Sequence, residues 1–66
     1  MQRQRVVSSR IRSIGWCDNV LEVEFTDGAV YQYFNVSYIE YRSFMSSPSL
    51  GKALSVLDKK HRYLRV

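Results

Sequence analysis

From Leu21 to Phe25 the chain alternates apolar and acidic side chains, Leu21, Val23 and Phe25 against Glu22 and Glu24. This period of two marks a strand with one buried face. The turn-forming cluster Cys17-Asp18-Asn19 separates it from the segment Arg10 to Trp16, which predicts a hairpin. Thr26-Asp27-Gly28 closes the strand on the other side, and a third, aromatic-rich strand is expected from Ala29 to Phe34. Two registers are open for this second hairpin, and they point the tyrosines in opposite directions. With Asp27-Gly28 as a two-residue type I′ loop, Glu24 sits opposite Tyr31, Glu22 opposite Tyr33, and both rings face out. With Thr26-Asp27-Gly28 as a three-residue loop and Gly28 left-handed, Phe25 faces Ala29, Val23 faces Tyr31 and Leu21 faces Tyr33. The second is preferred, because it gathers the apolar residues on one face with Ile14 and Trp16. Ser13, Glu22, Glu24 and Gln32 are left on the other.

Beyond the strands the period changes. Ser37-Tyr38-Ile39-Glu40 has the spacing of a capping box, with Val36 and Tyr41 placed as a hydrophobic staple. A helix is expected from Tyr38 to Met45, its inner stripe Tyr38, Tyr41, Phe44 and Met45, with Ile39 on the opposite side. The Ser46-Ser47-Pro48-Ser49 cluster ends it, and Ser47-Pro48 or Ser49 starts a second helix from Leu50 to about His61. There Leu50, Ala53, Leu54 and Leu57 recur at helical spacing, while Lys52, Ser55, Lys59 and Arg62 line another face. The expected fold is α+β, a three-stranded antiparallel meander followed by two helices packed on one sheet face. With 66 residues the chain makes a single domain, 1–66, with 1–8 as a flexible basic arm.

The matching stretches Val7-Ser8-Ser9, Ile11, Ser13-Ile14-Gly15-Trp16, Leu21-Glu22-Val23-Glu24-Phe25, Asp27-Gly28 and Tyr31-Gln32-Tyr33 resemble the KTSC domain family. Val36, Tyr41 and Ser49-Leu50-Gly51 continue the pattern, so the likeness spans roughly residues 6 to 58. The family is named after the C-terminal extension of some lysyl-tRNA synthetases and also occurs alone in bacterial and phage proteins. Two positions depart from it. Ser37 stands where the family usually has proline, and Ala53-Leu54-Ser55 replaces an aromatic-Phe-Asn run. The resemblance implies a small binding domain for which RNA is the suggested partner and no activity is established.

Charge sharpens that expectation. Residues 1–12 carry Arg3, Arg5, Arg10 and Arg12 and no acid, whereas 13–41 hold Asp18, Glu22, Glu24, Asp27 and Glu40 and no Lys or Arg. From residue 42 onward Arg42, Lys52, Lys59, Lys60, Arg62 and Arg65 face a single acid, Asp58. The net charge of +4 therefore sits at the two ends. Such segregation favours an anionic partner. The candidate nucleic-acid contacts are Arg3, Arg5, Arg10, Arg12, Lys52, Lys59, Lys60, Arg62 and Arg65, gripping phosphates of RNA or another polyanion without reading bases. Tyr31 and Tyr33 carry the family's central motif and are expected to be structural, the alternative being a stacking platform.

Catalysis has little to build on. The one histidine, His61, has only Asp58 near enough in sequence to orient it, and Cys17 lies in a turn beside Asp18. One His and one Cys are no metal set, and no cofactor is expected. A lone cysteine allows no internal disulfide, which together with the absence of an apolar leader or a run of roughly 20 apolar residues points to a cytoplasmic protein off the membrane. The competing reading is a protein-interaction module, monomeric or weakly dimeric, using free sheet edges and the outward apolar residues Ile11, Val30, Ile39 and Val56.

Overall fold

The computed structural model describes residues 1–66, whose elements are β1 (Gln4–Arg5), β2 (Ile11–Cys17), β3 (Val20–Phe25), β4 (Val30–Phe34), α1 (Tyr38–Met45), α2 (Leu50–Lys60) and β5 (Tyr63–Arg65). The sheet has five strands in the order β1-β2-β3-β4-β5, each antiparallel to the next, so the expected three-stranded meander is corrected. The central meander and the two helices stand, and the N- and C-terminal segments add one edge strand each. These edges are two and three residues long, too short to show an alternation that could separate strand from loop. No helix is long and apolar enough to cross a membrane.

Turn chemistry sets the register of the meander. Asp18 and Asn19 both take positive φ, 49° and 65°, between the paired Cys17 and Val20. That is a two-residue loop of the primed kind, whose twist matches the strands it joins. In the second hairpin Gly28 has φ 93° and its N–H donates to the Phe25 carbonyl at 3.0 Å. Phe25 bonds Ala29, Val23 pairs with Tyr31 and Leu21 with Tyr33, the three-residue register. Tyr33 is consequently 2% exposed.

The core beneath the helices comprises Ile11, Ile14, Leu21, Val23, Tyr33, Val36, Phe44, Leu54 and Leu57. Ile11 belongs to it, contrary to its expected outward place. The β2–β3 register shifts between Ile11 and Ser13, so one extra residue, Arg12, lets Ile11 and Ile14 both face inward. Ile39 and Val56 are exposed, as the helical pattern requires. Trp16 is half-buried; its Nε1–H donates to the Val36 carbonyl at 2.8 Å, and Tyr38 meets it edge-on at 5.2 Å.

Ser49 caps α2, accepting the Lys52 N–H, and Ser37 caps α1, accepting the Glu40 N–H at 3.1 Å. The reciprocal half of the capping box is absent, because the Glu40 carboxylate turns to His61 Nε2 at 2.7 Å and to Lys60 at 3.7 Å. His61 Nδ1 lies 3.0 Å from the Phe34 carbonyl. The imidazole thus ties the end of β4 to α1 just where the chain leaves α2 for β5. Both of its partners are acceptors, so a ring protonated at both nitrogens donates to both.

Candidate nucleic-acid interface

The basic residues divide into two sets once the strands are paired. Arg3 crosses β2 to the Glu22 carboxylate on β3 and lies 4.0 Å from Glu24. Gly15 makes that crossing possible, since a Cβ there would collide with the Gln2 carbonyl and press on the Arg3 side chain. Arg12 pairs with Glu24 at 3.7 Å and donates to the Thr26 carbonyl at 3.1 Å, and Lys60 pairs with Glu40. Three of the nine candidate cations are therefore neutralised within the chain. The pleat carrying Glu22 and Glu24 is closed into a polar network, completed by Ser13 donating to Glu24 at 2.9 Å and Gln32 donating to Glu22 at 2.8 Å.

Glu22 is only 8% exposed, and its pKa is held below the ordinary 4.5. The Gln32 hydrogen bond is the largest cause, with burial opposing it and the Arg3 bond and charge reinforcing it. A depressed carboxylate stabilises the fold above its unfolded pKa and ceases to do so as pH falls through its folded one. Denaturant titrations between neutral pH and pH 3 are expected to show stability falling towards acid. In Glu22→Gln the decline should be shallower; an unchanged acid slope would mean that the carboxylate contributes nothing.

Arg5, Arg10, Lys52, Lys59, Arg62 and Arg65 form no ion pair with an acid. Arg10 lies between two of the others, sharing one cavity with Lys52 and another with Arg65. The Arg10 guanidinium passes 3.8 Å from where a Cβ on Gly51 would sit, and a cleft of about 290 Å³ runs between its loop and Lys52 in the first turn of α2. Arg10 also lines a wider groove of about 490 Å³ with Phe25, Tyr31, Tyr33, Tyr63, Asp58 and Arg65. Strand β5 completes this groove. It sets Tyr63 opposite Tyr33 and Arg65 opposite Tyr31, which brings both side chains to the face the tyrosines occupy. Arg5 lies at the far edge of the sheet on β1, Lys59 in the last turn of α2, and Arg62 beside a separate hollow with Phe34 and Leu64.

The rings in the groove form a chain. Phe25 meets Tyr31 at 5.6 Å and 89°, Tyr31 meets Tyr63 at 5.8 Å, and Tyr63 meets Tyr33 at 5.1 Å. Tyr33 is the buried end, and its hydroxyl donates to Asp58 Oδ1 at 2.7 Å. Burial first, and then the Asp58 carboxylate, raises its pKa far above the ordinary phenol value. Tyr31 is half-buried and Tyr63 exposed. Sequence reasoning missed Phe25, Asp58 and Tyr63 as groove residues. The periodicity that identified the third strand stops well short of β5, so nothing signalled that a C-terminal tyrosine returns beside it.

No group of three or more His, Cys, Asp or Glu side chains could hold a metal ion. His61 has both ring nitrogens engaged, and its carboxylate partner is Glu40 rather than the expected Asp58. Cys17 is a free thiol at the exposed end of β2.

A crystal structure of a KTSC domain protein from Yersinia pestis superposes with a TM-score of 0.91 at 40% identity, covering 98% of this chain and 96% of that one. An uncharacterised protein of Stutzerimonas stutzeri (strain A1501) is 34% identical over 65 residues, 96% of this chain and 92% of the relative. The KTSC domain profile matches residues 7–63, and with these similarities it establishes that the chain belongs to the KTSC domain family.

Proposed function

We propose that this domain binds RNA, through cations of its N-terminal segment and second helix assembled around the aromatic groove. The observation that carries the reading is that Arg10 and Arg65, from opposite ends of the chain, line one groove with Phe25, Tyr31 and Tyr63, while Arg10 also lines the adjoining cleft with Lys52. Cations hold phosphates by charge, and exposed rings accept the faces of unpaired bases. Single strands suit this arrangement better than duplex, whose bases are already stacked. Arg5, Lys59 and Arg62 extend the positive field, whereas Arg3, Arg12 and Lys60 serve the fold through their carboxylates. The free Cys17 fits a reducing compartment such as the cytoplasm.

The test is a fluorescence-anisotropy titration of a short unstructured RNA at increasing salt. Affinity should fall by about 0.7 log units per tenfold salt for each phosphate contact, a slope near −2 for three contacts. Binding that is absent even at low salt would refute the reading. A second reading, a protein-interaction module, is favoured by the open edge of β5, where Leu64 is 61% exposed and Val66 63%. It predicts strand addition by a partner and no RNA affinity.

A further inference from the structure

We infer that Asp58 reads a guanine base in the groove, an assignment that rests on the RNA-binding reading above. A site that held phosphate alone would gain nothing from a carboxylate, yet Asp58 lines the groove together with Arg10, Arg65, Tyr31 and Tyr63. Asp58 makes no ion pair, and its single hydrogen bond is the one from Tyr33. That bond fixes the carboxylate from below through a side chain locked in the core. The other acid of the groove, Asp27, also accepts a single bond, the Ala29 N–H at 3.0 Å, but that bond lies within its own exposed turn and no core side chain orients it. Both acids have acceptor capacity to spare, since a carboxylate offers about four lone-pair sites and no donor, and Asp58 is the one oriented from the core by Tyr33.

A ligand that satisfies all three chemistries must present a ring face to the tyrosines, an anion to the arginines and N–H donors to Asp58. A cationic ligand would meet Arg10 and Arg65, and a bare phosphate would meet Asp58. A nucleotide fits, and among the RNA bases guanine fits best. Its Watson–Crick edge carries two adjacent donors, N1–H and the N2 amino group, which match the two oxygens of a carboxylate. Adenine and cytosine place a ring-nitrogen acceptor beside their amino group, and uracil flanks its one N–H with two carbonyls, so each brings an acceptor against the acid. Recognition of a splayed-out base along this edge is a common route to sequence preference in single strands.

The experiment compares the pentanucleotides UUGUU, UUIUU (I, inosine) and UUAUU in anisotropy titrations with the wild-type chain, Asp58→Asn and Tyr33→Phe, each variant first checked by thermal melting. Wild type should prefer UUGUU over UUAUU by about tenfold, the scale of one good bidentate base contact, with inosine between because it lacks the N2 amino group. Asp58→Asn should bring UUGUU and UUAUU within about twofold of each other. Tyr33→Phe, which keeps the acid and frees its orientation, should narrow the preference without abolishing it, and it covers the case of an unfolded Asp58→Asn. Equal affinity of wild type for UUGUU and UUAUU overturns the assignment to Asp58 and leaves RNA binding standing, as does a preference that survives in folded Asp58→Asn. No binding of any of the three overturns the RNA-binding reading, and the guanine assignment with it.

Discussion

Replacing Tyr33 by alanine is expected to lower stability by about 3–4 kcal/mol, within the range for truncating a large buried aromatic side chain. Tyr33 is among the largest fully enclosed side chains, it faces Leu21 across the sheet, and its hydroxyl reaches α2 through Asp58. A domain of this size draws no more than about 3–5 kcal/mol from its core, so the variant should be largely unfolded at room temperature. Far-UV circular dichroism under urea titration measures this directly. Tyr33→Phe separates the two contributions. It keeps the packing and loses one hydrogen bond to a charged acceptor, a cost of about 1.5–3 kcal/mol. A Tyr33→Ala protein with an unshifted urea midpoint would mean that the ring does not hold the helices to the sheet.

The second large effect concerns binding. Arg10→Glu, Lys52→Glu and Arg65→Glu combined should weaken the affinity for a short single-stranded RNA by at least about a hundredfold at low salt, and should flatten the salt slope by about 0.7 for each contact removed. None of these three side chains pairs with an acid of the chain, so their reversal should leave the fold in place. Arg12→Gln is the internal comparison. Set against Arg10→Gln, it removes the same single charge, but from a residue held by Glu24 and the Thr26 carbonyl, and should change affinity by less than about twofold. If Arg12→Gln weakened binding as much as Arg10→Gln, net charge alone would be the cause and the groove would have no special part.

Much of the fold could be read from residues whose chemistry is local. Asp18-Asn19 and Thr26-Asp27-Gly28 require left-handed backbone, and once their loop lengths are set, every partner across β2, β3 and β4 follows except at the Arg12 bulge. Ser37 and Ser49 announce their helices for the same reason. The remainder depended on contacts between distant segments. Nothing in Ile11-Arg12-Ser13 marks the bulge that turns Ile11 inward. Glu40 has the spacing of a capping box, but His61, 21 residues away, competes for its carboxylate. The candidate site suffered most from this. Charge counts put ten cations in the two terminal segments without showing that Arg3, Arg12 and Lys60 fold onto acids, and a tripeptide strand carried the groove's fourth ring.

The positions of β1 and β5 bear on how the domain can be joined to itself. They occupy opposite edges of the sheet, four strand spacings of about 4.8 Å apart, or about 19 Å. Closing the chain on itself, as in a circular permutant, therefore needs a connecting segment of at least about six extended residues between the two ends. A shorter joint would pull an outer strand out of register, so the two edge strands and the termini they carry stay apart in the folded chain.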